Sequence, residues 1–67
     1  MFNSGDLIFV DQENIGKFNM LSFYVGKPFI YLRSCTTKIG ENIPNMAEII
    51  FPDGEVMHAC INYFKKL

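Results

Sequence analysis

Met46-Ala47-Glu48-Ile49-Ile50-Phe51-Pro52-Asp53-Gly54-Glu55-Val56-Met57-His58 is the stretch that decides the fold class. Met46–Phe51 is short, apolar and β-prone, and too short for a stable helix. The turn signal that follows is the strongest in the chain. Pro52 presets φ and Gly54 accepts a left-handed backbone, so Pro52-Asp53-Gly54 sends the chain back on itself. Glu55–His58 returns as the paired strand, and the whole reads as a hairpin. Successive strand side chains alternate between faces. With Glu48 outward, Ala47, Ile49 and Phe51 point inward. The return strand leaves its parity open between Val56 and Met57 as the core residue. Asp53 reads as a turn aspartate, and His58 as a cross-strand surface histidine near Glu48.

Working upstream, Gly5-Asp6 opens a first strand over Leu7–Val10, followed by a polar loop, Asp11–Asn14, closed by Ile15-Gly16-Lys17. Asp6 and Asp11 flank that strand and are expected to be solvated or bonded to loop amides. Phe18–Val25 is β-rich, Gly26-Lys27-Pro28 breaks it, and Phe29–Cys35 is another strand. Two β-rich runs around a Gly/Pro break predict a hairpin. Ile15, Phe18 and Ser22 lie at helical spacing, so residues 14–22 also fit a short helix; the break at Gly26 favours the strand. Residues 36–45 have loop composition. Downstream of the decisive hairpin, Ala59–Tyr63 fits one helical or 3-10 turn, and Phe64–Leu67 ends the chain.

The expected Gly26 hairpin has a parity of its own. A loop of two or four residues sets Tyr24 opposite Phe29. One face then carries Leu21, Phe23, Ile30 and Leu32, all hydrocarbon. The other carries Met20, Ser22, Tyr24, Phe29, Tyr31 and Arg33. Phenol and guanidinium groups need water or a partner, so the second face is expected outside. Tyr and Arg dominate interface hot spots, which makes Tyr24, Phe29, Tyr31 and Arg33 the candidate binding residues.

Gly5-Asp6-Leu7-Ile8, Ala47-Glu48-Ile49-Ile50-Phe51-Pro52-Asp53-Gly54-Glu55-Val56 and Tyr63-Phe64-Lys65-Lys66-Leu67 together resemble a Src-homology-3-type small barrel. The resemblance implies an all-β domain over residues 1–67. Its form would be a five-stranded SH3-like barrel with one 3-10 or helical turn before the last strand. Small stand-alone proteins of this kind are common in tailed-phage genomes. The resemblance therefore implies a host or virion protein as partner and the host cytoplasm as location.

Composition narrows function further. In 67 residues, 49% are apolar, 15% aromatic and 19% charged, a surplus of apolar side chains for one small core. Seven Phe and three Tyr exceed what such a core buries, so some rings are expected on a contact surface. Net charge is −1 with only six basic residues, which disfavours nucleic acid. No apolar stretch reaches the length of about 20 residues that spans a bilayer. Cys35 and Cys60 are too few for a stapled secreted domain, and together with the lack of a leader pattern they point to a cytoplasmic protein with reduced thiols. Cys35, His58 and Cys60 lack the close paired spacing of a zinc site, and no glycine-rich phosphate loop is present, so no metal or cofactor is expected. His58 and Cys60 share a strand face without an orienting group or oxyanion site in view, which argues against catalysis. Three readings remain, in order: a protein-interaction module, a self-associating structural subunit, and a weak nucleic-acid-binding barrel using aromatic stacking.

Overall fold

A computed structural model describes residues 2–15 and 20–66. Its elements are β1 (Leu7–Val10), α1 (Gln12–Ile15), a first 3-10 helix (Met20–Tyr24), β2 (Phe29–Thr36), β3 (Asn42–Ile50), β4 (Val56–Cys60), a second 3-10 turn (Ile61–Tyr63) and β5 (Phe64–Lys65). All strand pairings are antiparallel, in the order β4-β3-β2-β1-β5. The chain is thus all-β and five-stranded, with a single 3-10 turn before its last strand. The sheet is open between β4 and β5. No helix among the described residues is long and apolar enough to cross a membrane.

The decisive hairpin forms as its residues dictate. Gly54 has φ +92° and donates its N–H to the carbonyl of Phe51 at 2.8 Å. Asp53 Oδ1 accepts the Glu55 N–H at 3.1 Å, a turn aspartate as the sequence predicts. Ala47 and Ile49 are fully buried. His58 lies opposite Glu48, with Nε2 3.7 Å from its Oε1. Asp11 Oδ1 accepts the Glu13 N–H at 3.2 Å, so Asp11 caps α1. Asp6 Oδ2 accepts the Asn3 N–H at 2.7 Å and receives Lys66 Nζ at 3.2 Å. The Asn3 bond, then Lys66, hold the Asp6 carboxyl below its ordinary pKa.

The expected hairpin around Gly26 does not form. Ile15 ends α1, and Met20–Tyr24 is 3-10 helix rather than the tail of a strand; the start of that expected strand, residues 18–19, lies outside the described residues. Gly26, at φ +82°, follows the helix, and the Lys27 N–H bonds the Tyr24 carbonyl at 3.0 Å. Gly26 and Pro28 therefore act as a helix stop, for which glycine in a left-handed conformation and a nearby proline serve equally well. The true partners of β2 are β1 and β3.

This change reverses the faces of β2. Phe29 is fully buried and Tyr31 is 9% exposed, while Ile30 and Leu32 are the half-buried outer residues. The core brings Ile8, Val10, Phe29, Tyr31, Ala47, Ile49 and Phe64 from the sheet against Ile15 and Leu21 from the segments that cross it. Phe29 is its hub, edge-to-face with Phe51 and Phe64 at 4.9 Å each and with Tyr24 at 5.6 Å. Phenol chemistry fails as a guide to the surface because the Tyr31 ring is buried while its hydroxyl finds a partner on its own strand, 3.1 Å from Ser34 Oγ.

Residues 36–45, expected as loop, are loop only in part. Thr37 and Gly40 close a tight turn, and β3 already begins at Asn42. Register is lost between Ser34/Ala47 and Thr36/Asn42. The extra residues on β3 include Pro44, which cannot donate to a ladder, and Asn45 at φ +62°, a left-handed position that asparagine tolerates.

Candidate functional site

With β4 and β5 unpaired to each other, the inner side of β4 is left without sheet beyond it. Antiparallel register puts Met57 and Ala59 on the same side as the buried Ile49 and Ala47. Met57 is thereby settled as the inward residue of the return strand, with Val56 outward. The first 3-10 helix stands across from this edge and presents Met20, Leu21 and Tyr24. Between them lies an open cleft of about 560 Å³, with Met46, Met57 and Ala59 on the strand side and Phe51 and Tyr63 also lining it. That volume falls in the range of about 300–1,000 Å³ common to binding clefts.

The lining is mostly apolar. Met20, Met46 and Met57 are all the methionines of the chain after Met1. Unbranched thioethers adapt their shape to varied apolar partners. Met20 is 78% exposed and Met57 46%, and Phe23, on the same 3-10 helix as Met20, is 80% exposed. The Tyr24 ring is fixed edge-on between Phe29 and Phe51, at 5.6 and 5.5 Å, so one wall is rigid. Polar lining comes from Glu55 and His58. Among the described residues, no ion pair reaches the Glu55 carboxylate; Glu48 is held by Arg33 at 2.8 Å and Asp6 by Lys66.

The four residues expected to bind together are separated. Tyr24 is half-buried and lines the cleft. Phe29 touches it from below but is sealed in the core. Tyr31 is also core, with Phe2 edge-on at 5.7 Å. Arg33 lies on the other side of the sheet, exposed and paired with Glu48. As one outward binding face, the group Tyr24, Phe29, Tyr31 and Arg33 does not exist, because it requires a strand pairing the chain does not make. Met20, Met46, Met57 and Tyr63 were missed. Composition shows four methionines but leaves them unplaced, and nothing local in the sequence marks Tyr63.

Two other surface features stand apart. A second depression of about 620 Å³ is lined by Phe2, Asn14 and the second 3-10 turn, and there the Asn14 amide already bonds the Asn62 carbonyl at 3.3 Å. On the outer sheet face, Leu7, Ile30, Ile50 and Val56 pair in register across four strands. Leu7 and Val56, at the ends of this row, are 55% and 56% exposed. Cys35 is buried and Cys60 half-buried, and both are free thiols. Comparison with known proteins finds no family model, no curated protein and no solved structure that matches the chain.

Proposed function

We propose that the chain is a non-catalytic protein-interaction module of Src-homology-3 type, docking through the cleft between the first 3-10 helix and β4. The observation that carries this reading is a cleft walled by three methionines and three aromatic residues, open to water at a 78% exposed Met20 and a 46% exposed Met57. An apolar concavity of this kind stabilises a complex by removing its own surface from water, at about 25 cal/mol per Å² before the costs of association. Adaptable methionines beside one rigid tyrosine suit a peptide or protein segment better than a single small metabolite. A phage origin, with a host or virion protein as partner, belongs to the same proposal and rests on the sequence resemblance alone.

The test is selection of random twelve-residue peptides on the immobilised full chain. Enriched peptides are expected to lose about thirtyfold or more in affinity for M57D, the penalty of about 2 kcal/mol typical of a lost hot spot. Met57 is half-exposed, so the variant should keep the parent's far-ultraviolet circular dichroism and a cooperative melt. No enrichment, or peptides indifferent to M57D, would end the proposal.

The outer row Leu7, Ile30, Ile50 and Val56 favours a second reading, self-association through that face. Large exposed apolar patches mark contact surfaces. Sedimentation of the chain as a monomer at millimolar concentration removes it.

A further inference from the structure

The two edges of the sheet are built differently. β5 is two residues long, and Lys65 and Lys66 guard its end of the sheet. Short, lysine-bearing edges resist pairing with other chains. β4 is five residues long, Val56-Met57-His58-Ala59-Cys60, with no proline, lysine or other formal charge. Its ladder to β3 runs without a register shift. One edge is blocked, and among the described residues no strand or backbone bond covers the other.

The direction of the β4 backbone groups follows from parity. Phe51 donates its N–H to the Glu55 carbonyl at 2.8 Å. In an antiparallel ladder hydrogen-bonded and non-bonded pairs alternate. Met57 with Ile49 and Ala59 with Ala47 are therefore the bonded pairs, and Val56 and His58 turn their N–H and C=O groups away from β3. Side chains alternate with the same period. A strand laid along this edge, opposite Met57 and Ala59, sends two of its side chains, spaced i and i+2, into the methionine-lined cleft.

Resting on the interaction-module reading, we infer that the partner is an extended polypeptide segment that adds to β4 as a sixth strand, with alternate large apolar side chains and a basic residue at one end. The basic residue follows from charge. Glu55 lines the cleft at the hairpin end with its carboxylate unpaired among the described residues, and Asp53 lies two residues away. Lys or Arg on the incoming strand neutralises that end. A second copy of this chain does not, because its own β4 brings no Lys or Arg to the edge. Strand addition combines main-chain bonds for affinity with side-chain pockets for specificity.

The experiment uses the peptides selected on the full chain, each made synthetically. Enriched sequences should alternate large apolar and small or polar residues, with Lys or Arg at one end. Bound peptide should slow amide hydrogen exchange at Val56 and His58 at least tenfold and leave Met57 and Ala59, already bonded to β3, unchanged. H58P removes an outward N–H without touching the ladder and should weaken binding at least tenfold. E55Q should weaken basic peptides severalfold but not their Lys-to-Gln versions. Peptides that lose affinity with M57D but ignore H58P and leave Val56 and His58 exchanging freely would overturn strand addition while sparing the interaction module. Protection of Val56 and His58 in the peptide-free protein that grows with its concentration would identify a second copy as the occupant, and so overturn the inference as well.

Discussion

F29A should abolish cooperative folding or lower the melting temperature by roughly 12–40 °C, while R33A should melt close to the parent. Phe29 has no exposed surface and holds three aromatic neighbours within 5.6 Å. Truncating a buried phenylalanine costs about 3–5 kcal/mol, since the transfer loss is joined by a cavity that the surroundings fill only in part. A chain of 67 residues has a total stability of about 3–10 kcal/mol. The substitution thus consumes a third of the margin at best and all of it at worst. For a domain of this size each kcal/mol shifts the melt by about 4–8 °C. Arg33 is 72% exposed in an ion pair with Glu48, and such pairs contribute about 0–1 kcal/mol. Thermal melts followed by circular dichroism compare the two directly. Similar small shifts for both variants would place Phe29 outside the core and restore the face that the sequence suggested.

That contrast also locates where the chain is legible and where it is not. The hairpin over residues 46–58 is readable because local signals agree: a proline and a glycine in a turn that demands both, alternation on either side, and Glu48 marking the wet face. The inward residues of its first strand, its turn aspartate and the His58–Glu48 pairing follow from those residues alone, while the choice between Val56 and Met57 on the return strand does not. The 3-10 turn before β5 is similarly local. Residues 14–28 are harder, since glycine and proline punctuate a helix end as readily as a hairpin. Once Met20–Tyr24 is assigned to a strand, the parity of Phe29–Arg33 inherits the error. Chemistry reinforces it, because a tyrosine whose hydroxyl reaches a serine three residues along the same strand looks, in sequence, like one that needs water. The cleft is the least legible feature. Its walls come from residues 20–24, 46–51 and 55–63, and their meeting depends on where the sheet stays open. No local pattern encodes that opening.

Proline substituted at two adjacent positions of β4 should separate sharply: M57P is expected to cost about 1–3 kcal/mol, and H58P much less. Both lie in the same five-residue edge strand, so β propensity and distance from the turn are nearly matched. They differ in where the N–H points. Met57 pairs with Ile49, and the Phe51–Glu55 bond sets this pair as one that exchanges backbone hydrogen bonds. Proline there deletes a ladder donor and leaves the Ile49 carbonyl without its partner, beside a side chain that is fully buried. His58 turns its N–H to the open side, where proline is tolerated in natural edge strands. Its loss of the 3.7 Å contact with Glu48, on a side chain 65% exposed, matters little by comparison. Urea titration of the two variants beside the parent measures both costs. Equal destabilisation would show that β4 is bonded on both sides, which would close the edge on which strand addition depends. A large gap, with M57P the weaker fold, keeps that edge free for a sixth strand.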